Sequence, residues 1–285
     1  MGWKVFINDK LVDESEAKIS VFDHGLLYGD GVFEGIRVYN SKIFEFEAHM
    51  KRLYLSAHAI RLKIPMNIET FSENVKKTVE ANNITDGYIR PIVTRGVGTL
   101  GINPLVCEKP QIIIIAATIQ LYPKELYEQG LKVISANTMR IPPLCISTQV
   151  KSLNYLNNIL AKLEALDFGV MEAIMYNNQG FVAEAAADNI FVVWNGRIIT
   201  PPISAGALSG ITRGVIIRLA RENGYEVSEE NLTRYDMYTV DEMFLTGTGA
   251  EMIPVVEVDG RQIGDGRPGP VTQELKKKFE EYAHN

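Results

Sequence analysis

The sequence predicts an α/β protein of the α+β type, with a smaller N-terminal domain and a larger C-terminal domain around a mixed, β-rich sheet. Three observations lead there. A chain of 285 residues is long for a single core. Strand-like runs and helical stripes occur in both halves. A polar stretch, Tyr122–Gly130, separates the halves. The expected division is 1–121, a connecting loop over 122–130, and 131–285.

The elements follow in order. Lys4–Val12 alternates like a hairpin turning near Asn8-Asp9, and Gly31–Phe46 reads as two strands turning near Asn40-Ser41. Glu47–Leu62 places Met50, Leu53, Tyr54, Ala57 and Ile60 at helical spacing, and Asn67–Asn83 is a second helix. Gly87–Gly96 and Pro110–Leu121 are strands. In the second half, strands are expected near Leu131–Ala136, Val170–Tyr176, Phe181–Ala183, Ile190–Thr200 and Glu242–Thr246. Asn195-Gly196 is a two-residue hairpin signal. Helices are expected over Lys151–Asp167, Thr212–Asn223 with Gly224 past its end, and Val271–Tyr282.

Composition narrows the function. The chain is 46% hydrophobic and 22% charged, with a net charge of −6, which suits an ordinary globular protein and not a nucleic-acid binder. The run Lys276–Lys278 is followed by Glu280 and Glu281 and reads as a solvated helix face. Cys107 and Cys145 have no metal-ligand spacing and no framework of pairs, which points to a reducing, cytoplasmic setting and to no metal site. No apolar run reaches membrane-spanning length, and the N-terminal stretch alternates like a strand where a leader would carry an apolar block.

Chemistry concentrates at four places. In Ser147–Leu166, an apolar stripe of Leu156, Ile159, Leu160 and Leu163 marks an amphipathic helix, and Lys151 stands just before it, with Ser152 or Asn154 able to cap the helix start. Taken alone, the stretch reads more simply as carrying a surface lysine. Gly210 precedes a helix whose first backbone N–H groups, at Ile211 and Thr212, have no intrahelical partner and face the positive end of the helix dipole. That arrangement suits an anion such as phosphate, or is a plain N-cap after a glycine turn. Thr246-Gly247-Thr248-Gly249 lets a ligand approach the backbone, or is a tight turn. Glu184 is a carboxylate on a predicted hairpin. A lysine for a Schiff base, a phosphate cradle and a carboxylate for a pyridinium nitrogen are the parts a pyridoxal phosphate site needs. Spacing alone leaves this as one possibility among several.

Six ordered segments narrow the choice: Tyr28–Tyr39 (YGDGVFEGIRVY), His49–Leu53 (HMKRL), Tyr88–Val93 (YIRPIV), Val150–Asn158 (VKSLNYLNN), Leu208–Arg213 (LSGITR) and Leu245–Val255 (LTGTGAEMIPV). Together they resemble the branched-chain amino acid aminotransferases, pyridoxal phosphate enzymes of fold type IV. The resemblance implies a transaminase that moves the amino group of leucine, isoleucine or valine to 2-oxoglutarate by a ping-pong route through a pyridoxamine form. It implies that Lys151 carries the cofactor and shuttles the proton, and that Arg52, Ile211, Thr212 and Thr248 hold its phosphate. Leu208 would pack on its ring, Tyr155 would bond its 3′-oxygen, and Glu184 would bond its pyridinium nitrogen. Tyr28, Phe33, Gly35, Arg37 and Tyr122 would surround the substrate side chain, with Gly249 and Ala250 near its α-carboxylate. Arg90 would bind the side-chain carboxylate of the acidic co-substrate. Thr99–Pro104, with Leu100 and Ile102, resembles a loop lent to a neighbouring subunit, which implies a homodimer.

Two departures bear on substrate range. Where the family usually has glycine after the pyridinium-binding glutamate, this chain has Ala185, Ala186 and Ala187, so the backbone there is either ordinary or strained. Gly249 stands where alanine is common. A D-amino acid or (R)-amine transaminase is the alternative within the fold, although the FEGIR and YIRP segments argue against it. A lyase on the same scaffold is a further one. A phosphate-ligand binding protein without chemistry is the alternative from another class.

Overall fold

The computed structural model describes residues 2–119 and 122–284, so the expected strand end at Gln120 and Leu121 lies outside the described residues, as do Met1 and Asn285. The chain divides into two compact units, Met1–Ile119 with Val150–Asn154, and Gln120–Gln149 with Tyr155–Asn285. Sequence reasoning grouped all of 131–285. Val150–Asn154 instead belongs with the first unit, for a reason visible in its hydrogen bonds.

The described strands of the first unit are β1 (Lys4–Ile7), β2 (Lys10–Asp13), β3 (Gly31–Phe33), β4 (Ile36–Tyr39), β5 (Lys42–Ile43), β6 (Gly87–Thr94) and β7 (Gln111–Ala117). They form a sheet in the order β2-β1-β7-β6-β4-β5, with β3 also paired to β6, and each pairing is antiparallel. Asn8, at φ 59°, and Asn40, at φ 47°, sit in the left-handed conformation at the two predicted turns. A short helix α1 (His24–Tyr28) precedes β3. Helices α2 (Phe46–Ala59) and α3 (Ile68–Ala81) bury Met50, Leu53, Phe71 and Val75 with Ile36 and Ile89 of the sheet. Asn67 caps α3 by accepting the Thr70 N–H.

The 150–154 segment runs beside β3. Phe33 N donates to Lys151 O at 3.0 Å, Leu153 N donates to Gly31 O at 3.0 Å, and Val32 and Ser152 form a bridge. These main-chain bonds hold a piece of the later sequence in the earlier unit. A Cβ on Gly31 would stand 2.6 Å from the Val93 carbonyl oxygen and 2.7 Å from Leu153 Cδ1, and the backbone oxygen cannot give way, so the position requires glycine.

The second unit contains β8 (Leu131–Ser135), β9 (Glu172–Tyr176), β10 (Val182–Ala185), β11 (Asn189–Trp194), β12 (Arg197–Thr200), β13 (Val227–Glu229), β14 (Glu242–Gly247), β15 (Glu251–Val258) and β16 (Arg261–Gln262). Their order is β10-β9-β8-β15-β14-β11-β12-β13, with β16 on β15, and the sheet is mixed because β8 is parallel to both β15 and β9. Asn195 and Gly196 make the expected hairpin turn between β11 and β12, both at positive φ. β15 was not foreseen, since Pro254 lacks the N–H a strand interior normally uses. It nevertheless lies opposite Phe244 inside the sheet.

The described helices of this unit are α4 (Lys124–Gln129), α5 (Leu156–Asp167), α6 (Ile211–Glu222), α7 (Asp236–Thr239) and α8 (Pro270–His284). The expected connecting loop thus contains a helix. Two expectations for α5 are corrected. It begins at Leu156, because Lys151 to Asn154 are engaged with β3 and its preceding turn. Its leucine stripe also faces outward: Leu156 is 67% exposed, Ile159 52% and Leu163 49%. The helix packs inward through Asn158, Ala161 and Ala165, small side chains that let it lie close against Ala173 and Met175 of β9. Among the described residues no helix is long and apolar enough to cross a membrane.

Candidate active site

The first unit gathers one set of site groups. Lys151 is held at both ends of its peptide: its N–H donates to Ser56 Oγ at 3.2 Å and its carbonyl accepts from Phe33 N. Its Nζ lies 4.8 Å from the centre of the Phe33 ring. The Arg90 guanidinium lies 4.7 Å from the same ring, and its Nη2 donates to Tyr88 Oη at 3.0 Å. Gly35 is required here, because a Cβ would stand 1.8 Å from the Tyr88 hydroxyl oxygen. An apolar ring with two cations beside it can accept both an aliphatic side chain and a carboxylate.

Arg52 projects from α2 and makes a fork on Glu34, Nε to Oε1 at 2.7 Å and Nη2 to Oε2 at 2.8 Å. His49 Nδ1 lies 2.8 Å from the same carboxylate. Burial pushes the Glu34 carboxyl up, but the hydrogen bonds and charges of Arg52 and His49 outweigh it and hold the group at about 2. Burial holds the His49 imidazole below its ordinary 6.5 against the pull of Glu34.

A second set lies in the second unit. Glu184 is 5% exposed. Its Oε1 pairs with Arg140 Nη2 at 2.7 Å, and its Oε2 accepts from Leu208 N at 2.8 Å and from Asn189 Nδ2 at 3.3 Å. Gly210 caps α6 in extended conformation without a side-chain cap, so the first-turn donors at Ile211 and Thr212 are not used by one. A Cβ on Gly210 would stand 2.0 Å from Asn189 Oδ1. The Thr212 and Thr248 hydroxyls are 3.5 Å apart, bringing the two predicted phosphate loops together. Tyr155 stands at the N-cap of α5, outside the helical stripe where a core aromatic would sit. Ala185, Ala186 and Ala187 have ordinary backbone, as none has positive φ. This resolves the first departure without strain. Gly249 lies in the turn after β14, and Ala250 is buried in the unit's core.

Tyr122, which the resemblance places around the substrate side chain, is a buried residue. Tyr122 is 4% exposed and packed in the core of the second unit. Its hydroxyl donates to Asp188 Oδ2 at 3.1 Å and lies 3.4 Å from Glu172 Oε2. Two buried carboxylates need donors, and the tyrosine hydroxyl serves them. Burial and the neighbouring Glu172 charge push Asp188 up to about 7. Arg37 is half-buried over the Tyr39 ring. Tyr28 donates to the Leu100 carbonyl, while Leu100 and Ile102 are 70% and 83% exposed.

Sequence reasoning passed over Glu34, His49, Ser56, Tyr88, Arg140 and Asn189. Two of them carried a signal. Glu34 is a lone charge inside the apolar run GVFEGI, and His49 stands three residues before Arg52, on the same helix face.

The family profile of the class IV amino-transferases matches residues 31–258. A Methanocaldococcus jannaschii protein assigned as a branched-chain-amino-acid aminotransferase is 50% identical over 98% of this chain and 96% of its own length. The D-alanine aminotransferase of Staphylococcus haemolyticus is 35% identical over 98% of this chain and 97% of its own. The structure of the Escherichia coli branched-chain amino acid aminotransferase superposes with a TM-score of 0.96 at 38% identity, covering 99% of this chain and 94% of that one. That of the Thermobaculum terrenum branched-chain amino acid aminotransferase in its PLP-form superposes at 0.90 and 31% identity, covering 99% and 94%. The chain belongs to the class IV amino-transferases and is a transaminase of fold type IV.

Proposed function

We propose that this transaminase takes the amino group of branched-chain L-amino acids and passes it to 2-oxoglutarate, with pyridoxal phosphate as cofactor. The observation that carries the substrate class is the Phe33 ring with Lys151 at 4.8 Å and Arg90 at 4.7 Å. An aliphatic side chain is matched by the ring. The side-chain carboxylate of the acidic partner is matched by Arg90, whose planar fork suits it.

The residues present fit the cofactor. In the second unit Gly210 leaves the α6 N-terminus bare and Thr212 and Thr248 offer paired hydroxyls to a phosphate; in the first unit Arg52 is the guanidinium that the family resemblance assigns to it. Glu184, fixed by Arg140 and two N–H donors, accepts from a protonated ring nitrogen. Leu208, whose N–H fixes Glu184, offers its side chain to the ring face, and Tyr155 offers its hydroxyl to the 3′-oxygen. When bound, the cofactor supplies an electron-accepting ring for the charge that develops at the substrate α-carbon. Lys151 Nζ would move the proton from the substrate α-carbon to the cofactor C4′ within one half-reaction and in the reverse sense in the other, and the two main-chain bonds on Lys151 keep its stem in place. Tyr28, Gly35 and Arg37 bound the substrate side chain, and the turn at Gly249-Ala250 receives the α-carboxylate.

A homodimer accompanies this reading. The exposed Leu156, Ile159 and Leu163 face of α5, and the outward Leu100 and Ile102, are large apolar side chains that a second copy of the chain would cover. Cys107 and Cys145 are both free, which supports the cytoplasm as the working compartment. The likeness to a D-alanine aminotransferase keeps D-amino acids as the second reading.

Steady-state rates with L-leucine, L-isoleucine and L-valine against 2-oxoglutarate test the proposal. Turnover of all three, with D-alanine inert, supports it. Turnover of D-alanine alone overturns it.

A further inference from the structure

Glycine at position 210 is not demanded by its backbone. Its φ of −66° and ψ of 137° are open to any residue. What forbids a side chain there is Asn189. Its Oδ1 stands 2.0 Å from where a Cβ would lie, and the next neighbours, Arg213 Cβ and Asn189 Cγ, are both at 3.2 Å. Asn189 is buried and opens β11. Its Nδ2 donates to Glu184 Oε2 at 3.3 Å and to the Leu208 carbonyl at 3.0 Å. An amide nitrogen carries two protons, so both acceptors are served, and the amide oxygen is left on the Gly210 side. The reverse orientation would set that oxygen against a carboxylate and a carbonyl. The main chain of Asn189 lies opposite Thr246 of β14, which Gly247 and Thr248 follow directly. One buried side chain thus meets the Glu184 carboxylate, the Leu208 peptide and the N-cap of α6.

We propose that Asn189 is a positioning residue that couples the two ends of the cofactor site: the pyridinium end, through Glu184, and the phosphate end, through Gly210 and the first turn of α6. The inference rests on the pyridoxal phosphate reading. Asn189 acts without touching the cofactor. Its Nδ2 fixes the same Glu184 oxygen that Leu208 N holds, which sets the direction in which the carboxylate faces a ring N–H. Its Oδ1 seats against the Gly210 backbone, which sets where the Ile211 and Thr212 N–H groups point. A displacement at one end therefore reaches the other through a single planar amide. Pyridoxal phosphate is built on a rigid ring, so the spacing between the carboxylate and the helix N-terminus has to be held. Glycine at 210 is then explained by the asparagine that it accommodates.

Gly210→Ala, Asn189→Ala and the double variant form a cycle. Affinity for pyridoxal phosphate is measured by titration of each cofactor-free protein. With cofactor labelled by 15N in its ring, the ring 15N and phosphate 31P resonances report the two ends separately. Gly210→Ala should lose about tenfold or more in affinity and should move the ring 15N resonance, although its new methyl group lies at the phosphate end. Asn189→Ala should lose about threefold to tenfold. In the double variant the methyl group has room, so the further loss due to Gly210→Ala should fall below about twofold, and the ring 15N resonance should match that of Asn189→Ala alone. Losses that simply multiply, or a Gly210→Ala change confined to the 31P resonance, would overturn the proposal. If Asn189→Ala does not fold, the ring 15N resonance of Gly210→Ala decides alone, since an unmoved line overturns the coupling. The unsubstituted protein offers a reading without variants: the side-chain amide resonances of Asn189 should move when pyridoxal phosphate binds, and fixed lines overturn the assignment. Failure of the unsubstituted protein to bind pyridoxal phosphate at all would instead overturn the cofactor reading, and this inference with it.

Discussion

Glu34→Gln removes one charge from the buried cluster and keeps the side chain's size. The carboxyl group is held at about 2, against an ordinary 4.5. At about 1.36 kcal/mol per pH unit, that difference corresponds to roughly 3 kcal/mol of stability. The same magnitude follows from a different direction, since removing one partner of a buried ion pair costs about 3–5 kcal/mol. The sign is set by the lowered value. The unfolded chain binds the proton first as pH falls, so the contribution is fully present above pH 4.5 and is lost as pH drops toward 2. Urea unfolding of the cofactor-free protein should therefore show the variant less stable by about 3 kcal/mol at pH 7, and by less than half of that at pH 3. A difference under about 1 kcal/mol at pH 7, or one that does not shrink by pH 3, would refute the ion-pair reasoning.

Asp188 works in the opposite sense. Its carboxyl group is raised to about 7, so it contributes stability at low pH that is lost as pH rises from about 4 through 7. Asp188→Asn should flatten the fall in stability between pH 5 and pH 8, and an unchanged slope in urea unfolding would count against the buried position of the charge. Gly35→Ala should displace Tyr88 and with it Arg90, raising KM for 2-oxoglutarate about tenfold or more while the protein stays folded; unchanged KM would mean that Arg90 is not the carboxylate site. Leu163→Glu on the exposed face of α5 should shift the sedimentation profile from dimer to monomer with an unchanged circular dichroism spectrum, and a dimer that persists places the interface elsewhere.

Much of the fold was legible because local chemistry and tertiary structure agree. The Asn8-Asp9, Asn40-Ser41 and Asn195-Gly196 turns all carry residues that tolerate positive φ, and the structure turns at each. Where local rules met tertiary demands, the reading failed. The α5 stripe obeys helical periodicity, yet its leucines face outward because only alanines let the helix approach β9. The expected helix range began at Lys151 although that residue precedes the apolar stripe, and sequence periodicity says nothing of the main-chain bonds that tie it to β3. Pro254 hid β15.

The site was legible in part for a different reason. Lys151, Arg52, Thr212 and Thr248 sit in the quoted segments, whose resemblance implied their roles, and Glu184 stood out as a carboxylate on a predicted hairpin. Glu34 and His49 were in the same quoted motifs, but their meaning depends on three side chains meeting across a strand end and a helix. Tyr122 was assigned from the family resemblance, and the structure adds that its hydroxyl meets the buried carboxylates of Asp188 and Glu172.

The most direct test of the central claim is the visible absorption spectrum of the protein with pyridoxal phosphate, recorded before and after L-leucine and again after 2-oxoglutarate, beside the Lys151→Ala variant. The account predicts a yellow band that L-leucine bleaches and 2-oxoglutarate restores, and that Lys151→Ala never shows. A band that L-leucine leaves intact while D-alanine bleaches it would contradict the substrate class, and the same spectrum from Lys151→Ala would contradict the role of the lysine.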